Sequence, residues 1–133
     1  MSHILSDNVK PLYQAAFDKA VELVIKQGAV CKNNDAVCLY RGPNGMKCAI
    51  GHLISDEQIA KYNIRMNHYV EYFPSTLLKE IINDDAYIVC EFLTGLQSAH
   101  DYCQIDSGDK FTEAFINRAN NLAINWGLNT FKV

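Results

Sequence analysis

Residues 9–27, VKPLYQAAFDKAVELVIKQ, decide the fold class. Leu12, Tyr13, Ala16, Phe17, Ala20, Val21 and Val24 recur at intervals of three and four. Side chains so spaced lie on one face of an α-helix, because the helix turns once every 3.6 residues. Pro11 suits a first turn, where an N–H would have no helical partner. Asp7 or Asn8 is expected to cap the start, and Gly28 to stop the end.

The same period returns downstream. Ala49, Ile50, Leu53 and Ile54 follow it briefly. Ser55 with Gln58 three residues later forms a capping-box pattern, which predicts a short helix to about Tyr62. Ser75 is expected to cap a helix over Leu77 to Ile82. Asp84 and Asp85 are expected to open the next, which buries Ile88, Val89, Phe92, Leu93, Leu96 and Ala99. Residues 105–110, rich in Asp, Ser and Gly, predict a turn. A last helix over Phe111 to Trp126 carries Phe111, Phe115, Ala119, Leu122 and Trp126 on one face. Gly127 followed by Leu128 predicts a Schellman stop, in which glycine takes the left-handed conformation.

Residues 29–48 have another texture. Ala36 to Arg41 is short and strand-like, and Gly42-Pro43-Asn44-Gly45 is a strong turn signal. Met46 and Lys47 then read as a returning strand, and residues 129–133 as a third strand beside it. The expected fold is α+β, predominantly α: about five helices with one small β-hairpin near residues 36–48, the first and last helices packing on the central one. No repeat, linker or low-complexity tract divides the 133 residues, so one compact domain over 1–133 is expected.

Composition narrows the function classes. Hydrophobic residues make up 49%, enough for a chain this long to bury a core without disulfide or metal staples. A net charge of −3 and no basic run disfavour a binder of phosphate backbones. No apolar stretch is long enough to span a bilayer, and the N-terminus lacks the pattern of a signal peptide. A cytoplasmic protein without membrane contact is expected. Five cysteines, an odd count without an export signal, suit free thiols in a reducing compartment.

Three constellations carry possible chemistry. In the segment Cys38 to His52, Cys48 and His52 are four residues apart, a spacing that puts them on one face if the turn is helical. A thiol beside an imidazole can form a reactive pair, and a buried cysteine beside a surface histidine has the same spacing. Cys31, Cys38, Cys48 and His52 also form a zinc-type donor set. They lack the close paired spacing of structural zinc sites, so neither a metal nor any cofactor is expected. Gln97, His100, Asp101 and Gln104 form a polar stripe on one helix face. A solvated face, or a buried His100 with a local hydrogen bond, accounts for the stripe equally well. Cys48, His100 and Asp101 would make a nucleophile, a base and its orienter if the fold brought them together. Arg41 would then hold a carboxylate or phosphate in its planar fork. The aromatic loop between Asn63 and Pro74 offers Tyr69 and Tyr72 as a contact surface. Nucleotide-binding loops, nucleophile elbows and zinc-protease helices are absent from the sequence.

The run from Tyr40 to Gly51, YRGPNGMKCAIG, followed by Leu53 to Glu57, LISDE, resembles a family of small phage and bacterial proteins. Leu96 to Asp101, LQSAHD, with a later helix ending in Trp126-Gly127-Leu128, is similar to that family's second block. The two blocks span about half the chain. Cys48, His100 and Asp101 match the family pattern, whereas His52 falls where the family carries various residues. The resemblance implies no particular activity. It implies a phage-borne accessory protein, of a kind that often binds and blocks a host or defence-system protein in the host cytoplasm. The expected binding residues are Arg41, Asn44, Lys47, His52 and Gln97 around the two blocks, with Tyr69 and Tyr72. The alternatives are a thiol-dependent hydrolase or transferase on Cys48, His100 and Asp101, and a small-molecule or metal-binding module.

Overall fold

The computed structural model describes residues 5–28, 40–42, 45–65, 69–101 and 108–132. These contain five α-helices: α1 (Lys10–Gln27), α2 (Asp56–Lys61), α3 (Ser75–Ile81), α4 (Ala86–Asp101) and α5 (Gly108–Asn125). Single helical turns at Ile50–His52 and Val70–Tyr72 join them. The described part of the chain is mainly helical, as the periodicity predicts.

The three long helices make the core. α4 packs against α3 and α5, and α1 lies against α5 and the Ile50–His52 turn. α1 reaches α4 through Tyr13. The Tyr13 and Phe92 rings meet edge-on at 5.2 Å, Tyr13 stacks on Trp126 at 5.8 Å, and Phe92 meets Trp126 at 5.2 Å. Such ring pairs add about 0.5–1.5 kcal/mol each beyond the area they bury. The Tyr13 hydroxyl donates to Asp84 Oδ2 at 2.7 Å, so its polar end is satisfied. Burial and this carboxylate push the phenol far above its usual range.

Local signals set most helix ends. Ser55 Oγ accepts from the Gln58 N–H while Gln58 Oε1 accepts from the Ser55 N–H, completing the capping box. Asp85 Oδ1 accepts from the N–H groups of Tyr87 and Ile88, opening α4. After α5, Gly127 takes φ 70°, and the Leu128 N–H reaches back to the Ala123 carbonyl at 2.8 Å. That is the predicted Schellman stop, whose left-handed residue glycine adopts without a Cβ clash.

Two caps differ from expectation. α1 has no side-chain cap at Asp7 or Asn8. A backbone turn leads into it, with the Ser6 carbonyl accepting from Val9 and Lys10. In α3, Pro74 is the cap position and Ser75 is already helical. The proline fixes an extended lead-in, so the serine begins one position too late to cap. The expected turn over 105–110 is helical from Gly108 onward, and 105–107 lie outside the described residues.

The hairpin is the larger correction. Among the described residues there is no β-strand. Residues 36–39, 43 and 44 of the proposed hairpin lie outside them. On either side of the proposed turn, the Gly42 N–H donates to the Met46 carbonyl at 2.8 Å. The returning arm is not a strand. Both backbone groups of Lys47 pair with the side-chain amide of Gln27, each at 2.8 Å. The tail is held in the same manner. Gln14 grips both backbone groups of Asn129, and Asn120 grips both of Phe131. A primary amide offers one donor side and one acceptor, the same pair that a neighbouring strand would present. Three amide side chains thus supply the hydrogen bonds that the pattern assigned to a sheet.

Candidate functional site

The two sequence blocks meet in space. The Ile50 N–H donates to Gln97 Oε1 at 3.1 Å, tying the 40–55 segment to α4. Gln97 Nε2 in turn donates to Asp101 Oδ1 at 2.8 Å. His100 Nδ1 and Asp101 Oδ1 share a hydrogen bond at 2.9 Å. His100 is fully buried, its ring edge-on to Phe111 at 6.3 Å.

Tyr40, the first residue of the first block, also senses the second. Burial raises its phenol far above the usual range, and the nearby Cys48 thiol and Asp101 carboxylate raise it further. Cys48, His100 and Asp101 therefore belong to one neighbourhood. Yet Cys48 is only 1% exposed, and its sulfur accepts the Gly51 N–H at 3.3 Å. The thiol is packed into the core beside the dyad, with no open approach to it among the described residues.

Arg41 is engaged within the fold. Its Nη1 donates to the carbonyls of Tyr40 at 3.0 Å and Gly51 at 2.7 Å. Its Nη2 donates to the Ile54 carbonyl at 2.7 Å, and its Nε to Asp56 Oδ1 at 2.8 Å. This pairing holds the Asp56 carboxyl below its ordinary range. The rigid fork that would grip a ligand's oxyanion instead gathers three carbonyls and so shapes the 40–56 loop. Gly51 makes that approach possible. A Cβ at this position would lie 2.3 Å from the Tyr40 carbonyl oxygen.

His52 stands one turn from Cys48, its N–H donating to the Cys48 carbonyl at 3.2 Å. It is half-buried and lines a cleft of about 470 Å³, shared with Lys19 of α1, with Ser55, Gln58 and Lys61, and with Glu80 of α3. Its Nε2 is shielded from water and has no hydrogen-bond partner. Burial first, then the charges of Lys47, Arg41 and Lys19 and the neighbouring His100, lower its pKa to about 4. Across the cleft, Glu80 accepts from Gln58 at 3.0 Å and from Lys61 at 3.5 Å, and also from the Tyr62 hydroxyl.

The other expected residues fall into two groups. Tyr69 and Tyr72 are 69% and 66% exposed, with ring centroids 6.2 Å apart. Asn44 and Gln104, and Cys31 and Cys38 of the zinc-type set, lie outside the described residues. Among the described residues no group of three His, Cys, Asp or Glu side chains could hold a metal. None of the described helices is long and apolar enough to cross a membrane.

Sequence reasoning missed Tyr87, which is 74% exposed at the start of α4. A signal was present: Tyr87 falls off the apolar stripe that begins at Ile88. It also missed Lys19, Lys61 and Glu80, which the fold brings to the lining of one cleft. No family model, curated protein or solved structure matches the chain.

Proposed function

We propose that this chain is a phage-type accessory protein acting in the bacterial cytoplasm by binding a host or defence-system protein. The observation that carries this reading is the exposure of Tyr69, Tyr72 and Tyr87 around one junction of the fold. The Cys90 sulfur lies 4.0 Å from the Val70 carbonyl, so the first turns of α4 run beside the turn that bears Tyr69 and Tyr72. Tyr87 is one helical turn before Cys90. Tyrosine is enriched at protein interfaces because it presents a large, stiff apolar face with a polar tip. Such residues dominate binding energy where they cluster.

The thiol-enzyme alternative requires a sulfur that a substrate can reach. Cys48 at 1% exposure weighs against it. Gln97, Arg41 and the Cys48 sulfur each bond to backbone of the 40–55 segment, which supports a structural reading of both blocks.

The test is affinity capture from bacterial lysate with the wild-type chain and with the triple variant Tyr69→Ser, Tyr72→Ser, Tyr87→Ser. The wild type is expected to retain a stoichiometric protein, and the variant to lose it while melting at the same temperature. Capture of nothing stoichiometric, or equal capture by both, overturns the reading.

A further inference from the structure

We infer, resting on the reading of the tyrosine surface above, that this surface receives an arginine-bearing segment of a protein partner. Two observations select a cation with a flat face.

The first is where the chain keeps its acid. From Tyr69 to Glu91 the sequence holds Glu71, Glu80, Asp84, Asp85 and Glu91 against a single cation, Lys79. That stretch carries a formal charge of −4, more negative than the −3 of the entire chain, so the other residues together are close to neutral. Two of these carboxylates are committed within the chain. Asp84 accepts from Tyr13, and Glu80 from Gln58 and Lys61. The remaining three flank the exposed rings. Glu71 lies in the turn between Tyr69 and Tyr72, is exposed, and enters no ion pair among the described residues. Asp85 is exposed two positions before Tyr87. Glu91 follows Tyr87 by one helical turn and accepts its hydroxyl. An ionised carboxylate so engaged keeps lone pairs for a further donor.

The second is the rings themselves. Tyr69 and Tyr72 are both exposed, tilted by 43° with centroids 6.2 Å apart. Exposed ring faces beside carboxylates suit a guanidinium, which stacks on an aromatic face and donates in pairs to a carboxylate. An ammonium is a compact, strongly hydrated charge and gains less from a ring. A phosphate backbone meets repulsion from the same carboxylates.

Two-dimensional NMR of the full chain tests this, following the ring signals of Tyr69, Tyr72 and Tyr87 during titration. The probes are octapeptides in which glycine alternates with arginine, with lysine or with glutamate. The arginine peptide is expected to shift those signals saturably. The lysine peptide is expected to bind about threefold more weakly, the scale of one exposed cation–π contact, and the glutamate peptide not at all. Glu71→Gln with Glu91→Gln is expected to weaken the arginine peptide roughly fivefold, the scale of two exposed ion pairs. Glu22→Gln with Glu113→Gln, which removes the same charge from exposed positions of α1 and α5, is expected to leave it unchanged. No saturable shift with the arginine peptide, lysine binding as tight as arginine, or equal weakening by the two double variants overturns the inference. None of these results alters the lysate capture, which separately decides whether the tyrosines hold a protein.

Discussion

Where Tyr13, Phe92 and Trp126 meet, three helices are joined by rings buried against one another. Elsewhere, the described residues between Tyr40 and Ser55 have little regular structure and are held by named polar atoms. The first region tolerates any apolar residues of the right volume in the right period, because burial is not directional. The second depends on particular donors in particular places. Arg41, Gln27 and Gln97 each satisfy loop backbone that no strand among the described residues covers. Backbone polar groups removed from water must be paired by something, and here side chains do it. Residues that look catalytic in a sequence can thus be the scaffold of an irregular segment.

This contrast can be broken from either side. The largest effect is expected in the ring cluster. Phe92→Ala removes a fully buried ring between two others, and such truncations cost about 3–5 kcal/mol. Urea unfolding should show the loss as a lower midpoint at an unchanged slope. A cost nearer that of a surface substitution would mean the rings do not join the helices.

Next is Gly51→Ala. The added methyl meets a backbone oxygen at 2.3 Å, which no rotamer can relieve. Overpacking of this kind costs about 1–3 kcal/mol. Amide exchange should quicken in the 40–55 segment first, while α4 and α5 keep their protection. Uniform loss of protection would show that the two regions are one cooperative unit.

Arg41→Lys separates charge from geometry. Lysine keeps the charge beside Asp56 but cannot fork to three carbonyls. We expect a cost of about 1–2 kcal/mol, the range for lost hydrogen bonds to a charged group. Full stability in the lysine variant would assign the hold to simple attraction instead.

The smallest effect concerns pH. The His52 pKa falls from 6.5 unfolded to about 4 folded. Between those values the unfolded chain binds the extra proton, so stability is lost as pH falls through that window and is level above it. The ring is half-buried, so solvent screening keeps the effect modest. Melting temperatures of wild type and His52→Gln should run parallel above pH 6.5 and converge or cross below it. Parallel curves throughout would place His52 in open solvent.

Much of the helical frame was legible. α1, α4 and α5 carry long apolar stripes, and the Ser55–Gln58 box and Gly127 are local devices that act within a few residues. The α1 cap was not legible, because a backbone turn from Ser6 replaces the side chain. The hairpin was misread because short alternating runs and a turn signal do not reveal who pairs with the backbone. For Lys47 the partner is Gln27, a helix residue twenty positions earlier. Tyr69 and Tyr72 could be suspected as a surface. Tyr87 joined them only through the packing of α4 on the Val70–Tyr72 turn.

The sequence by itself determined a helical chain, its main apolar faces and several of its helix stops, since each depends on neighbours within one or two turns. It also marked Tyr40 to Glu57 and Leu96 to Asp101 as unusual. Only the tertiary structure decided what those blocks do locally. The burial of Cys48, the commitment of Arg41 to backbone carbonyls, and the meeting of Lys19 with His52 all join residues far apart along the chain. Such contacts leave no periodic trace, because they are set by which helix faces pack together.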